Sequence, residues 1–217
     1  MKIAILGGTF DPIHRGHLQI ARNALDEFSI DQVLFIPCAI PPHKTESKPL
    51  GNRHRMAMVR AAIAEEKKFQ VLDIEIKRGG ISYSIDTLHE LRKARAHDQI
   101  FFILGSDNFQ NIETWRGFSE LIQLCEFLVI ERPGYPLKIP PYPVTHKTPA
   151  SLRYHLMNGP TIEAASSDIR RLLREGQKVD HLLPDPVDQY IQTNRLYQSA
   201  ESFDKPPRLR SEQVRTR

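Results

Sequence analysis

The residues best suited to chemistry lie in one short stretch near the N-terminus, residues 7–18, GGTFDPIHRGHL. Gly7 and Gly8 follow an apolar run of strand type, and from Leu18 onward apolar residues recur at helical spacing. A glycine-containing turn between a strand and a helix lets backbone N–H groups approach an anion, and the helix N-terminus adds aligned donors. His14 and His17 are three residues apart, so on a helical turn both imidazoles point the same way. The stretch therefore predicts a phosphate-binding site.

The commoner phosphate-binding loops are absent from the sequence. It contains no Gly-x-x-x-x-Gly-Lys-Ser/Thr segment, and no Gly-x-Gly-x-x-Gly follows the first apolar run. No convincing Cys-His or Ser-His-Asp arrangement indicates a covalent nucleophile either. Any catalysis at this turn must then come from positioning and from stabilisation of charge.

Two further segments combine polar side chains with a predicted helix start. Ser166 and Ser167 precede Arg170, which favours phosphate binding, although an ordinary helix cap with a solvated arginine explains the same pattern. At residues 82–87, SYSIDT, backbone N–H groups of a helix start can hold a carboxylate, with Ser82 or Ser84 as the predicted N-cap. The alternative is that these residues only cap the helix and bind no ligand.

Strands and helices alternate along the chain, which predicts one α/β domain with a doubly wound, mostly parallel, Rossmann-like sheet and helices on both faces. The predicted strands are residues 3–6, 32–37, 69–76, 100–104, 127–130 and 161–164. The predicted helices begin near residue 16 and span about 52–66, 84–94, 166–175 and 186–194. Such sheets bind ligands at the carboxyl ends of their strands, where the segments named above fall.

Composition sets the outer limits of this interpretation. Of the net charge of +4 (30 basic minus 26 acidic residues), +2 belongs to the last twenty residues, so the body is too weakly basic for a nucleic-acid-binding face. No apolar run approaches the roughly 18 residues that span a bilayer, and no signal peptide is evident, so a cytoplasmic protein is expected. Cys38 and Cys125 are isolated and predicted to be buried free thiols.

The predicted domain covers residues 1–197, with a small C-terminal helical part at about 165–197. Residues 198–217 are predicted to form a basic, disordered tail, and the proline-rich residues 133–149 a long loop. Oligomeric state is left open by the sequence.

The segment GGTFDPIHRGH resembles the His-x-Gly-His signature of the nucleotidylyltransferase superfamily, and its GGTFDP form is similar to the bacterial nicotinate-nucleotide adenylyltransferase family. The segments PPHK at 41–44, SYS-x-x-TL at 82–88 and SSDIR at 166–170 resemble further motifs of that family. The likeness covers essentially residues 1–197. It implies transfer of AMP from ATP to nicotinate mononucleotide, giving nicotinate adenine dinucleotide and pyrophosphate, with Mg²⁺ delivered on ATP and no metal site of the protein's own.

The resemblance also implies a role for particular residues. The implied catalytic residues are His14, His17, Lys44 and Arg170. The implied ATP- and phosphate-binding residues are Gly7, Gly8, Thr9, Phe10, Gly16, Gly105, Asp107, Ser166, Ser167 and Ile169. The implied nicotinate-nucleotide-binding residues are Ser82, Tyr83, Ser84, Thr87 and Trp115, the last of which would stack on the pyridine ring.

The sequence departs from the family pattern at three positions. Ala165 stands where the family has a serine, and Ser84 and Ser167 stand where it has threonine. Ala165 cannot perform any role that the serine hydroxyl has in the family. Two alternatives stay open: an acceptor other than nicotinate mononucleotide (its amide, or phosphopantetheine), and a nucleotide-binding regulator without catalysis.

Overall fold

Six parallel strands form the sheet in this computed structural model, which describes residues 1–42, 49–132, 136–137, 152–159 and 162–198. The strands are β1 Lys2–Gly8, β2 Gln32–Pro37, β3 Phe69–Val71, β4 Gln99–Gly105, β5 Glu126–Ile130 and β6 Tyr154–Met157. Their order is β3-β2-β1-β4-β5-β6, and each neighbouring pair is parallel. The order reverses between β1 and β4, which is where a doubly wound sheet opens a crevice for ligands.

Helices cover both faces of the sheet, as predicted. They are α1 Arg15–Phe28, α2 Asn52–Ile63, α3 Ile74–Arg78, α4 Ser84–Ala94, α5 Ser106–Phe109, α6 Phe118–Leu124, α7 Ser166–Arg174 and α8 Asp185–Thr193. Alternate strand residues enter two separate hydrophobic cores. Ala4 and Leu6 of β1 pack in the core under α1, α2, α7 and α8, whereas Ile3 and Ile5 pack in the core under α4 and α6. Burial on both faces explains why these strands are continuously apolar.

The predicted third strand, residues 69–76, is too long. β3 pairs with β2 over three residues only, and the chain then turns into α3. Asp73 and Lys77 form an ion pair of 3.0 Å one helical turn apart, and Lys77 and Arg78 lie in the last turn, where cations favour a helix C-terminus. The spacing of these charged residues thus stabilises α3, although the apolar residues of the same segment predict a strand. Helix α2 likewise ends at Ile63, short of the predicted residue 66.

The predicted strand at residues 161–164 is also wrong, because its described residues, 162–164, are not in a strand. The sixth strand is β6, which pairs with β5 from Phe127 opposite Tyr154 to Ile130 opposite Met157. β6 is an edge strand with two exposed residues, His155 and Leu156, so it lacks the apolar pattern of the buried strands.

Two composition-based expectations can be compared with the described residues. Cys38 and Cys125 are buried free thiols, as predicted, and burial raises the pKa of Cys125 to about 12. Within the described ranges, no helix is long and apolar enough to cross a membrane. Lys44, most of the proline-rich segment 133–149 and residues 199–217 lie outside the described residues.

Candidate active site

Two cavities open at the carboxyl ends of β1 and β4, where the strand order reverses. The aromatic cavity, about 340 Å³, is lined by Trp115, Phe102 and Tyr83 together with the start of α4. The histidine cavity, about 670 Å³, is lined by His14 and His17 with residues from β4, β5 and the segment before α7. Gly7, Leu104 and Asn108 line both cavities. Ligands in the two cavities would therefore approach each other at the end of β1.

His14 and His17 form a stacked pair at the start of α1. Their ring centroids lie 3.7 Å apart, which confirms that the spacing of three residues points both imidazoles the same way. His14 occupies the N-cap position, and its backbone N–H donates to Nδ1 of His17 at 3.2 Å. Since Nδ1 of His17 accepts this bond, its neutral ring carries the proton on Nε2, which is thus free to donate to a ligand.

Both imidazoles are neutral at physiological pH. Burial, and next the guanidinium of Arg132, lower the pKa of His14 to about 4. Burial, followed by His14 and Arg132, holds the pKa of His17 well below its usual value. The pair can therefore offer N–H donors, and the positive charge of the histidine cavity comes from other groups.

The depressed pKa of His14 predicts a loss of stability in mild acid. In the unfolded chain the pKa of His14 is about 6.5, so between about pH 4 and 6.5 the unfolded state binds a proton that the folded state does not bind. The free energy of unfolding therefore rises with pH between about 4 and 6.5. We expect His14→Gln to remove about 1.4 kcal/mol of the stability that the wild type loses between pH 7.5 and 5.5. Urea unfolding at the two pH values measures this, with His97→Gln at an exposed turn as the control. An unchanged pH dependence in His14→Gln would contradict the assignment.

Arg132 is a site residue that the sequence analysis missed. It follows β5, lines the histidine cavity, and its guanidinium pairs with Asp107 at 3.0 Å. Its backbone N–H donates to Ser106 Oγ at 3.0 Å, which ties the end of β5 to the end of β4. The available signal was its position just past the carboxyl end of an apolar strand, at the edge where ligands bind.

Two glycines in the histidine cavity are explained by close approach. A Cβ on Gly105 would lie 2.3 Å from Asp107 Oδ1 and 2.6 Å from Arg132 Cδ, so a side chain there would displace this ion pair. A Cβ on Gly16 would meet the carbonyl oxygen of Ile162 at 2.9 Å and His14 Nδ1 at 3.0 Å. Only glycine therefore lets the histidine pair and its neighbours come together.

Buried polar atoms also point to a ligand in the histidine cavity. His14 Nδ1 and Asp107 Oδ1 are buried without a hydrogen-bond partner in the described part of the chain. Buried polar atoms are normally satisfied, and functional sites are a common exception. Both residues line the same cavity.

The aromatic cavity is built around Trp115. Its ring contacts Phe102 edge-on, with centroids 6.0 Å apart, and Ser82, Tyr83 and Ser84 line the cavity nearby. The prediction that Ser82 or Ser84 caps α4 is wrong. Tyr83 occupies the N-cap position without a side-chain cap bond, and Ser82 Oγ instead accepts the backbone N–H of Ala39 at 2.9 Å. Ser82 thus joins α4 to the segment after β2.

Glu75 is the second residue that the sequence analysis missed, because the pattern of residues 69–76 predicts a strand. It lines the aromatic cavity and is buried, and its Oε1 accepts the hydroxyl of Thr87 at 2.6 Å. Thr87 also accepts a bond from Arg78 at 3.0 Å. Burial raises the pKa of Glu75. Thr87, 1% exposed, is not among the described lining residues of either cavity, and its implied contact with the nicotinate nucleotide stays a prediction.

Comparisons with known proteins agree with this arrangement. A family model described as cytidylyltransferase-like matches residues 5–172. The chain is 40% identical over 215 residues to a probable nicotinate-nucleotide adenylyltransferase of Geobacter sp. (strain M21), covering 92% of this chain and 100% of the relative. It is 41% identical over 212 residues to one from Geotalea daltonii, with 91% and 98% covered. The chain belongs to the nicotinate-nucleotide adenylyltransferase family.

The fold agrees with solved structures as well. Plasmodium falciparum nicotinic acid mononucleotide adenylyltransferase, in complexes with APC and with NaAD, superposes with a TM-score of 0.71 at 22% identity. The alignment covers 90% of this chain and 96% of the first of those chains. This similarity confirms the Rossmann-like α/β fold.

The residues that family resemblance implied for ATP and phosphate binding are spread over the two cavities. Gly16, Gly105 and Asp107 line the histidine cavity together with the implied catalytic residues His14 and His17, Gly8 and Thr9 line the aromatic cavity, and Gly7 lines both. Phe10 is buried and packs edge-on against His17, with centroids 5.1 Å apart. Phe10 therefore supports the histidine pair from behind.

The segment before and within α7 lies beside the histidine cavity. Ala165 and Asp168 line the histidine cavity, whereas Ser166, Ser167 and Ile169 are not among the described lining residues of either cavity. Ser166 Oγ donates to the carbonyl oxygen of Pro12 at 2.9 Å, Ser167 is exposed, and Ile169 is a core residue.

Arg170 contacts the glycine-rich turn in this structure. Its guanidinium donates to the carbonyl oxygen of Asp11 at 2.6 Å and lies 3.8 Å from that residue's carboxylate. The carboxylate also accepts the hydroxyl of Tyr197 at 2.6 Å and the N–H of Leu50 at 3.3 Å. Arg170 thus holds the turn after β1, and among the described residues it is not one that lines either cavity.

Arg55 supports the same turn from inside the protein. It is 0% exposed, and its guanidinium donates to the carbonyl oxygens of Thr9 (2.6 Å), Cys38 (2.7 Å) and Leu50 (2.9 Å). Within the part of the chain that the structure describes, carbonyl acceptors satisfy this buried charge and no carboxylate pairs with it. The turn at residues 9–12 is therefore fixed by side chains from three distant parts of the chain.

Proposed function

We propose that this protein transfers AMP from ATP to nicotinate mononucleotide, forming nicotinate adenine dinucleotide and pyrophosphate, a step of NAD biosynthesis. The observation that carries the proposal is the meeting of two nucleotide-sized cavities at Gly7, one aromatic and one lined by the histidine pair. An enzyme that joins two nucleotides must bring their phosphates together at such a junction. The family relatives carry the same activity in their names.

The reaction needs no base from the protein. A phosphate oxygen of nicotinate mononucleotide, already an anion near neutral pH, attacks the α-phosphorus of ATP. A new P–O bond forms, the bond from the α-phosphorus to the bridging oxygen breaks, and its electron pair leaves with pyrophosphate. Catalysis then depends on alignment and on stabilisation of charge at the α-phosphoryl group and the departing pyrophosphate.

The histidine pair supplies neutral donors for that charge. Because burial and neighbouring charges keep the pKa of His17 low, its Nε2–H donates a hydrogen bond without adding a formal charge. His14 lines the same cavity and offers a second donor to the phosphates.

Positive charge for the triphosphate is assigned to Arg132 and Lys44. Arg132 lines the histidine cavity. Lys44 is assigned by family resemblance, and its position lies outside the described residues. Arg170, which family resemblance also places at the triphosphate, contacts Asp11 here and orients the turn below the phosphates.

Mg²⁺ enters as part of the substrate, as the Mg-ATP complex. Among the described residues no group of three or more His, Cys, Asp or Glu side chains is arranged to hold a metal ion. Magnesium commonly takes most of its ligands from substrate phosphates and water, which suits a cavity of this kind.

Pyrophosphate release with Mg-ATP tests the proposal directly. Purified protein is supplied with nicotinate mononucleotide or with its amide at equal concentrations, and the initial rates are compared. We expect pyrophosphate release with the acid, matched mole for mole by the dinucleotide product. No release with either acceptor would contradict the proposed activity and leave two interpretations, transfer to phosphopantetheine and then a nucleotide-binding regulator.

A further inference from the structure

The aromatic cavity presents an anionic ligand with one attractive and one repulsive charged side chain. Of the described residues that line it, Arg116 is the sole cation and Glu75 the sole carboxylate. Glu75 lies deep, hydrogen-bonded to Thr87, and Arg116 lies towards the solvent with 62% of its side chain exposed. A ligand carboxylate that enters this cavity is repelled by Glu75 to the extent that Glu75 is ionised, so it needs a compensating positive charge.

Arg116 is held in a defined direction despite its exposure. The carbon at the centre of its guanidinium lies 4.6 Å above the ring of Tyr83, a cation–π contact. Tyr83 is the N-cap residue of α4, and Trp115 precedes Arg116 in sequence. The guanidinium therefore lies on the same wall as both the aromatic ring and the helix N-terminus that line the cavity.

We propose that Arg116 is a specificity-determining residue that makes the enzyme prefer an acceptor whose pyridine ring carries a carboxylate over one that carries an amide. The inference rests on the proposed function, since it assumes a pyridine nucleotide in the aromatic cavity. The two acceptors have nearly the same shape, so stacking on Trp115 and contacts to the phosphate cancel in the ratio of their rates. An attraction to the guanidinium remains for the anionic acid alone.

Asp86 acts in the opposite direction. Its carboxylate lies 3.8 Å from the Arg116 guanidinium, in the first turn of α4. It neutralises part of the positive charge and repels an anion near the helix start. This exposed ion pair thus sets the selectivity. Removing the Arg116 guanidinium weakens the preference for the acid, and removing the Asp86 carboxylate strengthens it.

The test is the ratio of kcat/KM for nicotinate mononucleotide to that for its amide. We expect Arg116→Met to lower this ratio about fivefold, through a loss confined to the acid, as befits a partly screened charge. Asp86→Asn should raise the ratio, and Arg116→Lys should keep part of it, since the charge stays while the planar stacking is lost. Arg60→Met, on the exposed face of α2, is the matched control and leaves the ratio unchanged.

The outcomes separate this inference from the proposed function. If the wild type prefers the acid and Arg116→Met keeps the same ratio, the inference is wrong while the transferase activity stands. Equal losses for both acceptors would show that Arg116 shapes the cavity instead of reading charge, and would also overturn it. If the wild type turns over neither acceptor, the proposed function itself fails.

Discussion

Replacing His17 with alanine is expected to lower kcat on the order of 10²-fold while changing the KM for ATP little. The reason is geometric: His17 lines the histidine cavity and its Nδ1 is occupied by the His14 backbone N–H, which leaves Nε2 as the donor. A donor that strengthens as charge develops on the α-phosphoryl group contributes in the transition state more than in the ground state. Steady-state pyrophosphate release measures both parameters.

A structural effect of the same substitution has to be separated. The His17 ring stacks on His14 and packs against Phe10, so alanine also leaves a small gap. Urea unfolding of His17→Ala reports that loss independently, and His17→Asn restores an amide donor of smaller size. A rise in KM with kcat unchanged would show that His17 binds the ground state only, and would remove it from the transition-state contact.

Replacing Trp115 with alanine is expected to raise the KM for nicotinate mononucleotide about 10-fold to 100-fold. Stacking of a base on an aromatic side chain contributes roughly 1–3 kcal/mol, and the expected change in KM lies inside the corresponding range of about 5-fold to 150-fold. Trp115 lines the aromatic cavity and packs edge-on against Phe102, with ring centroids 6.0 Å apart. This contact fixes the orientation of the indole ring on which the pyridine ring would stack. The KM for ATP, whose proposed cavity lacks Trp115 among its described lining residues, should stay within a few-fold.

Trp115→Phe is the matched variant for this prediction. It keeps an aromatic face of smaller area, so the KM for nicotinate mononucleotide should lie between those of wild type and Trp115→Ala. If Trp115→Ala raised the KM for ATP as much as that for the acceptor, the assignment of the two cavities to the two substrates would be wrong.

Much of the fold follows from local sequence. The four apolar runs at residues 3–6, 32–37, 100–104 and 127–130 are strands because alternate residues are buried in two cores. Strand and helix alternate, and this alone predicts the parallel sheet and its ligand-binding edge. β6 escaped prediction because an edge strand with an exposed face lacks that continuous apolar pattern.

The sequence by itself determined the residue types of the site and their local geometry. The spacing of His14 and His17 was sufficient for their stacking, since three residues on one helical turn bring side chains together. Trp115 and residues 82–84 line the aromatic cavity, and their contact with a nicotinate nucleotide stays a prediction from the resemblance to the family.

Only the tertiary structure decided how these residues are charged and which partners they have. The pKa values of His14 and His17 depend on burial and on Arg132, more than a hundred residues away in the chain. Arg170 and Tyr197 both hydrogen-bond Asp11. Glu75 lines the aromatic cavity from α3, a helix in a segment for which the sequence predicts a strand. Burial and charge pairing arise from contacts between distant segments, and no local spacing encodes them.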